Sequence, residues 1–301
     1  MPPSCKGALL LLLACLGGLA LGEVGNFSPC LNFFYRERPP WQGIGTKQNN
    51  NLAEICQFYK NQYSFASLYH KKRRTPLYSA YILFTVRSGK RPDARWMYEP
   101  QLENPRGSRE MTPFPTRKPK DKIVFDNRAV PADYTNSTYT KGHLNPSAHN
   151  NGVENQKATF TLTNIVPQRN GSNCGPWNHL ETEVKQRLEK YCDGLAYVIT
   201  GVIPYRSENH YIKERVAVPE YLWSAYCCPR YRAKLPESEQ THFPTYAAVG
   251  KNDHESDDTI VPVNETGYDV SQMPLEILEC ILKRRLDMHN TSLFHKQCRE
   301  D

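Results

Sequence analysis

Beyond its first two dozen residues, the 301-residue chain has no apolar run near the ~20 residues that a membrane-spanning helix needs. It has no Cys-x-x-Cys and no His-Glu-x-x-His spacing, which removes the common zinc frameworks. No internal repeat is present, which removes solenoids and propellers. The acidic stretch Asp253-His254-Glu255-Ser256-Asp257-Asp258 lacks the spacing and the glycine of an EF-hand loop and reads as a solvated loop. Charge is not extreme either, at a formal +7. Such basicity suits a nucleic-acid partner through counterion release, although many secreted proteins share it. Two basic runs, Lys71-Lys72-Arg73-Arg74 and Arg117-Lys118-Pro119-Lys120, read as solvated loops able to meet phosphate.

What is present begins with a compartment signal. Lys6 precedes the apolar run Ala8 to Leu16, and small residues follow as far as Gly22. This pattern predicts a secretory signal peptide over residues 1–22, followed by one domain over 23–301 with a C-terminal extension. Removing that leader leaves 37 Lys and Arg against 31 Asp and Glu, and eight of the ten cysteines: Cys30, Cys56, Cys174, Cys192, Cys227, Cys228, Cys280 and Cys298. An even count in an oxidising compartment implies disulfides, and strain disfavours a bridge between the neighbours Cys227 and Cys228. Asn-x-Ser/Thr sequons at Asn26, Asn136, Asn170, Asn264 and Asn290 fit the same compartment.

The aromatic and β-branched run from Pro76 to Val86 predicts a buried strand, and 195–202 and 221–226 predict two more. Ala158 to Thr163 also reads locally as a strand, whereas polar, proline-rich 92–122 reads as a long surface loop. Trp177, Leu180, Val184 and Leu188 follow Pro176 at three- and four-residue steps, which predicts an amphipathic helix with proline in its first turn. A C-terminal helix is expected from Met273 to Arg285. The resulting class is α+β around a mainly antiparallel sheet with flanking helices.

The chemistry concentrates between Tyr139 and Glu181. A Lys141-Gly142-His143 turn is followed thirty residues after its histidine by Asn173-Cys174-Gly175-Pro176-Trp177. Hydrolysing a phosphodiester at neutral pH needs a base, for which histidine is suited. It also needs positive charge on the phosphoryl and departing oxygens, which Mg²⁺ supplies. Because Mg²⁺ retains several waters, one amide oxygen can hold it while a substrate phosphate adds another ligand.

The order Pro131-Ala132-Asp133-Tyr134-Thr135, Lys141-Gly142-His143, Leu162 to Gln168 and Asn173-x-Gly175-Pro176-Trp177-x-x-Leu180-Glu181 resembles the DNA/RNA non-specific endonucleases, the ββα-metal or His-Me finger nucleases. The resemblance implies the ββα-metal nuclease fold. It makes His143 the general base, Asn173 the protein ligand of Mg²⁺ (Mn²⁺ substituting), Glu181 the residue that orients metal-bound water, and Asn164 a supporting active-site amide. It places the phosphate-binding arginine at Arg95, to within one or two residues. The chain departs from the family where Asp-Arg-Gly-His becomes Thr140-Lys141-Gly142-His143. A lysine there keeps the charge but not the bidentate fork, so phosphate is held more loosely. Taken singly, a Gly-His is an ordinary loop histidine, Asn173 a helix cap, and His149 a structural rather than catalytic histidine.

These residues imply a secreted endonuclease acting on DNA, RNA or both through the phosphate backbone. Two alternatives stand beside it: a protein of the same fold that has lost catalysis and serves extracellular nucleic-acid binding or recognition, and a hydrolase of another phosphodiester or phosphorylated ligand.

Overall fold

The computed structural model describes residues 24–41, 51–84, 90–115, 125–207, 210–262, 267–287 and 291–299. The leader, Arg117 to Lys120, Asn264 and Asn290 lie outside these residues. Among the described residues nine strands of four or more residues organise the chain: β1 Leu52–Tyr59, β2 Gln62–His70, β3 Thr75–Phe84, β4 Tyr139–His143, β5 Ile165–Arg169, β6 Leu195–Pro204, β7 Pro219–Cys227, β8 Thr245–Lys251 and β9 Val270–Met273. Seven of them form one antiparallel sheet in the order β1-β2-β3-β6-β7-β8-β9, while β4 and β5 pair separately. Five α-helices accompany them among the described residues: α1 Pro131–Tyr134, α2 Val153–Ala158, α3 Asn170–Asn173, α4 Pro176–Tyr191 and α5 Leu275–Leu286.

The period-two alternation of a strand decides which layer each side chain joins. Tyr78, Ala80, Ile199, Ile203, Tyr221, Trp223 and Val249 face one core, closed by Leu275, Leu278, Ile281 and Leu282 of α5 and by Phe27, Phe33 and Phe34 of the N-terminal segment. Tyr81, Leu83, Val198, Val202, Leu222 and Ala248 face the other, closed by Trp177, Leu180, Val184 and Leu188 of α4. Each such burial stabilises by about 1.5–3 kcal/mol before conformational entropy is charged. The C-terminal extension belongs to the first core, because Leu293, Phe294 and Cys298 are buried in it.

Three disulfides pair Cys30 with Cys56, Cys192 with Cys228, and Cys227 with Cys298, so the neighbouring cysteines do bond elsewhere. Cys174 and Cys280 are free and exposed. Among the described residues no helix is long and apolar enough to cross a membrane.

Several expectations need correction. Ala158–Thr163 is not a strand: Ala158 ends α2, and the turn beyond it contributes only an isolated bridge from Thr161 to Met97. The 92–122 loop is not wholly superficial, since Met97, Leu102 and Met111 are buried and two-residue strands pair at 97–98 and 112–113. The acidic stretch is a loop but only partly solvated: His254, Glu255 and Asp257 are exposed, while two of its residues turn inward. Asp253 is buried beside Arg169, with Nε 3.4 Å from its carboxylate, and Ser256 is hydrogen-bonded to Glu220. The β1–β2 hairpin carried no recognised signal, because its turn is Lys60-Asn61. Both residues take positive φ, 52° and 59°, where a primed turn favours asparagine or glycine.

Candidate functional site

The β4–β5 pair and α4 form a ββα unit beside the main sheet. Its register places His143 opposite Ile165, Lys141 opposite Pro167, and Thr140 opposite Gln168. Gly142 is required by this packing: a Cβ there would lie 2.1 Å from Gln168 Oε1. Past β5 the chain makes the single turn of α3 and closes so tightly that a Cβ on Gly175 would meet the Gly171 carbonyl oxygen at 2.2 Å. Pro176 then opens α4, where its missing N–H costs little. The end of β4, the α3–α4 turn and the segment Pro146–Ala148 enclose a cleft of about 340 Å³, whose charged and polar walls include Arg91, Lys141, His143, Asn173, Asn178 and Glu181.

His143 is half-buried, with its ring centroid 5.4 Å from that of Trp96 and 5.1 Å from that of Phe160. Its Nε2 is enclosed and meets no hydrogen-bond partner. Burial, assisted by the positive charge of Arg91, pushes its pKa down to about 3, so the ring is neutral at physiological pH. Glu181 moves the opposite way. Burial raises its carboxyl to about 8 against the smaller pull of Trp177 and Arg91, so in the protein alone it retains its proton near neutrality. Burial also lowers the Lys141 pKa, and its Nζ sits 5.6 Å from the Trp96 ring centre and 5.3 Å from that of Tyr134, where the π faces partly replace lost water.

Asn173 does not cap α4. The N-cap is Gly175, with no side-chain cap bond. Instead Asn173 Nδ2 donates to Thr140 Oγ1 at 2.9 Å, leaving Oδ1 without a protein partner among the described residues. An unpaired amide oxygen that shares its cleft with a carboxyl group is hard-oxygen chemistry and fits a Mg²⁺ ion that keeps most of its water. Among the described residues no group of three or more His, Cys, Asp or Glu could hold a metal ion.

Two expected site residues stand elsewhere. Asn164 is fully buried and does not reach the cleft. Its Nδ2 donates to the carbonyls of Asn145 and Thr159, both at 3.0 Å, and its Oδ1 accepts from Ser79 Oγ and the Asn145 N–H, both at 2.9 Å. It clamps the loop that leaves His143. Arg95 is exposed and outside the cleft, and Arg91 lines the cleft in its place, with its guanidinium 5.1 Å from the Phe160 ring centre. His149 is structural as expected, with Nε2 2.8 Å from the Glu181 carbonyl oxygen and Nδ1 2.9 Å from the Tyr81 hydroxyl. Arg91, Thr140 and Asn178 were missed as contributors. No local pattern distinguishes Arg91 from the other arginines near it, and its place at the cleft shows only in its packing over the Phe160 ring.

A sequence model of the family described as DNA/RNA non-specific endonuclease matches residues 43–274. The chain is 31% identical over 226 residues to endonuclease domain-containing 1 protein of Homo sapiens, covering 74% of this chain and 43% of that protein. It is 26% identical over 230 residues to the mitochondrial nuclease EXOG of Xenopus laevis, covering 69% of this chain and 58% of that one. The chain thus spans only about half the length of these relatives. A chain from the solved EndoG/EndoGI complex superposes with a TM-score of 0.49 at 19% identity, over 77% of this chain and 84% of that one.

Proposed function

The chain belongs to the DNA/RNA non-specific endonuclease family, and on that premise we propose that it is a secreted, Mg²⁺-dependent endonuclease hydrolysing phosphodiester bonds of DNA, RNA or both. The family is generally dependent on divalent metal. The observation carrying the proposal is the meeting, in one cleft, of a neutral imidazole with an unmet nitrogen and an amide oxygen with no partner among the described residues.

His143 takes the proton from the attacking water; its depressed pKa keeps the ring unprotonated at neutrality but makes it a weak base in the protein alone, and the negative charge of a bound phosphate would raise its proton affinity for this role. Arg91 and Lys141 bring positive charge to the cleft wall and orient the phosphate. Asn173 would hold the cation through Oδ1, and Glu181, deprotonated beside that charge, would orient a water of its shell. When bound, Mg²⁺ would supply Lewis-acid stabilisation of the phosphoryl and departing oxygens. The hydroxyl of Thr140 and the ammonium of Lys141 keep roles in the altered motif, which supports retained activity. All of these groups address phosphate, not base edges, so little sequence preference follows.

Secretion, a domain spanning 23–301, and glycosylation at exposed Asn136 and Asn170 form part of the same proposal, supported by the three disulfides. Asn170 stands at the rim of the cleft, with Oδ1 3.3 Å from the thiol of Cys174, itself a cleft residue. The test is incubation of the purified mature protein with plasmid DNA and with RNA, in Mg²⁺, in Mn²⁺ and with chelator. Cleavage that chelator abolishes is expected. Binding of nucleic acid without cleavage in either metal would give the chain to the reading in which catalysis is lost.

A further inference from the structure

The position where the chain departs from the family's Asp-Arg-Gly-His pattern carries a device of its own. Thr140 Oγ1 donates to the backbone carbonyl of Gln168 at 2.8 Å and receives Asn173 Nδ2 at 2.9 Å. A carbonyl oxygen can only accept, so the hydroxyl proton of Thr140 is committed to Gln168. What remains for Asn173 is a lone pair. Only the NH₂ end of the amide can use it, because a reversed amide would set oxygen against oxygen. The Asn173 oxygen is therefore held away from β4. The surroundings of Gln168 are equally fixed: its Nε2 donates to Ser172 Oγ at 3.1 Å, tying β5 to the turn of α3 that carries Asn173, and Gly142 leaves room for its side chain.

We propose that Thr140 is a positioning residue that sets the sense of the Asn173 amide, so that oxygen and not nitrogen faces a divalent cation. The inference rests on the reading of Asn173 as the cation's ligand. An amide nitrogen has no lone pair to offer a hard cation, so an amide free to reverse presents a useless face for part of the time. Replacing the family's aspartate by threonine then removes a charge but retains an acceptor.

The test uses the full mature chain. Mn²⁺ affinity is measured by electron paramagnetic resonance without nucleic acid, for the parent, Asn173→Ala, Thr140→Val and Thr140→Ser. Thr140→Val keeps the shape and removes the hydroxyl. It is expected to weaken Mn²⁺ binding about fivefold, the scale of one hydrogen bond, while Thr140→Ser restores it. Parent-like binding by Thr140→Val, with loss in Asn173→Ala, overturns this inference and leaves the ligand assignment standing. Parent-like binding by Asn173→Ala overturns the ligand assignment and the inference with it. A measurement on the metal-free parent needs no variant: the side-chain amide protons of Asn173 should exchange with solvent more slowly than those of Asn178, and equal rates would refute the bond to Thr140.

Discussion

Behind the cleft and along its wall, the same residue types meet opposite fates. His149, behind the wall, has both ring nitrogens engaged, and its bond to a carbonyl makes Nε2 the protonated one, so Nδ1 accepts from Tyr81. His143, on the wall, has Nε2 unmet. Asn164, behind, uses both ends of its amide, whereas Asn173, in front, uses only its nitrogen among the described residues. A buried polar group whose bonds are complete holds structure, because losing any of them carries a desolvation penalty. One left incomplete at a cleft awaits something from outside. Unmet buried atoms also occur away from the cleft, as at Trp41 Nε1 and Gln57 Oε1, so the contrast bears on chemistry only where, as at His143 and Asn173, it coincides with the cleft wall.

The sharpest way to break the comparison is to exchange the fates of the two histidines. His143→Ala should lower the turnover of plasmid or RNA by about 10²- to 10⁴-fold, with nucleic-acid binding and melting temperature close to the parent's. His149→Ala should do the reverse, destabilising by ~1–3 kcal/mol in denaturant titration because the Tyr81 hydroxyl and Glu181 carbonyl lose their partner. Matching profiles for the two variants would abolish the distinction. The asparagines make a second pair. Asn164→Ala should cost on the order of 2–4 kcal/mol, since it strands buried donors and acceptors, and should impair catalysis only through the loop after His143. Asn173→Ala should cost under about 1 kcal/mol, given its partial exposure, but should raise the Mg²⁺ concentration needed for half-maximal rate.

Smaller effects sharpen the picture. Lys141→Ala should slow cleavage, whereas Lys141→Arg should keep or raise the rate by restoring a bidentate donor. Equal rates in all three proteins would remove Lys141 from the site. The gentlest test is pH. Burial lowers the His149 pKa from 6.5 to about 4, so between those values the unfolded chain binds a proton that the folded one refuses. Its contribution to stability is whole above pH 6.5 and is lost as pH falls toward 4. His143 acts with the same sign, while Glu181, raised from 4.5 to about 8, costs stability as pH climbs through that window. Melting temperatures from pH 4 to 7 should fall less steeply with acidity in His149→Asn than in the parent.

Much of this architecture could be read in advance where one physical pattern dominated. The helix α4 announced itself through Pro176 and the spacing of Trp177, Leu180, Val184 and Leu188, and β3, β6 and β7 through their aliphatic and aromatic runs. Strand β2 was harder, because buried Ser64 and Ser67 interrupt its apolar signal, and Ser67 is satisfied only by hydrogen bonds to Gln57 and Ser79 on neighbouring strands. The site followed the same division. Motif order located His143, Asn173 and Glu181 in one cleft, but Asn164 and Arg95 owe their places to long-range packing. Thr140 looked like a loss because its identity had changed, and the hydroxyl's use emerged only with its two partners in view.

The disulfides have a consequence for how the chain comes apart. The loops closed by Cys192–Cys228 and Cys227–Cys298 overlap, so a single protease nick anywhere from 192 to 298 leaves one covalent molecule, as does a nick between Cys30 and Cys56. No bridge spans 57–191, the stretch that supplies every residue of the cleft. A cut there yields two pieces that separate on a gel even without reductant. The portion of the sequence that carries the chemistry is therefore joined to the rest by peptide bonds and packing alone.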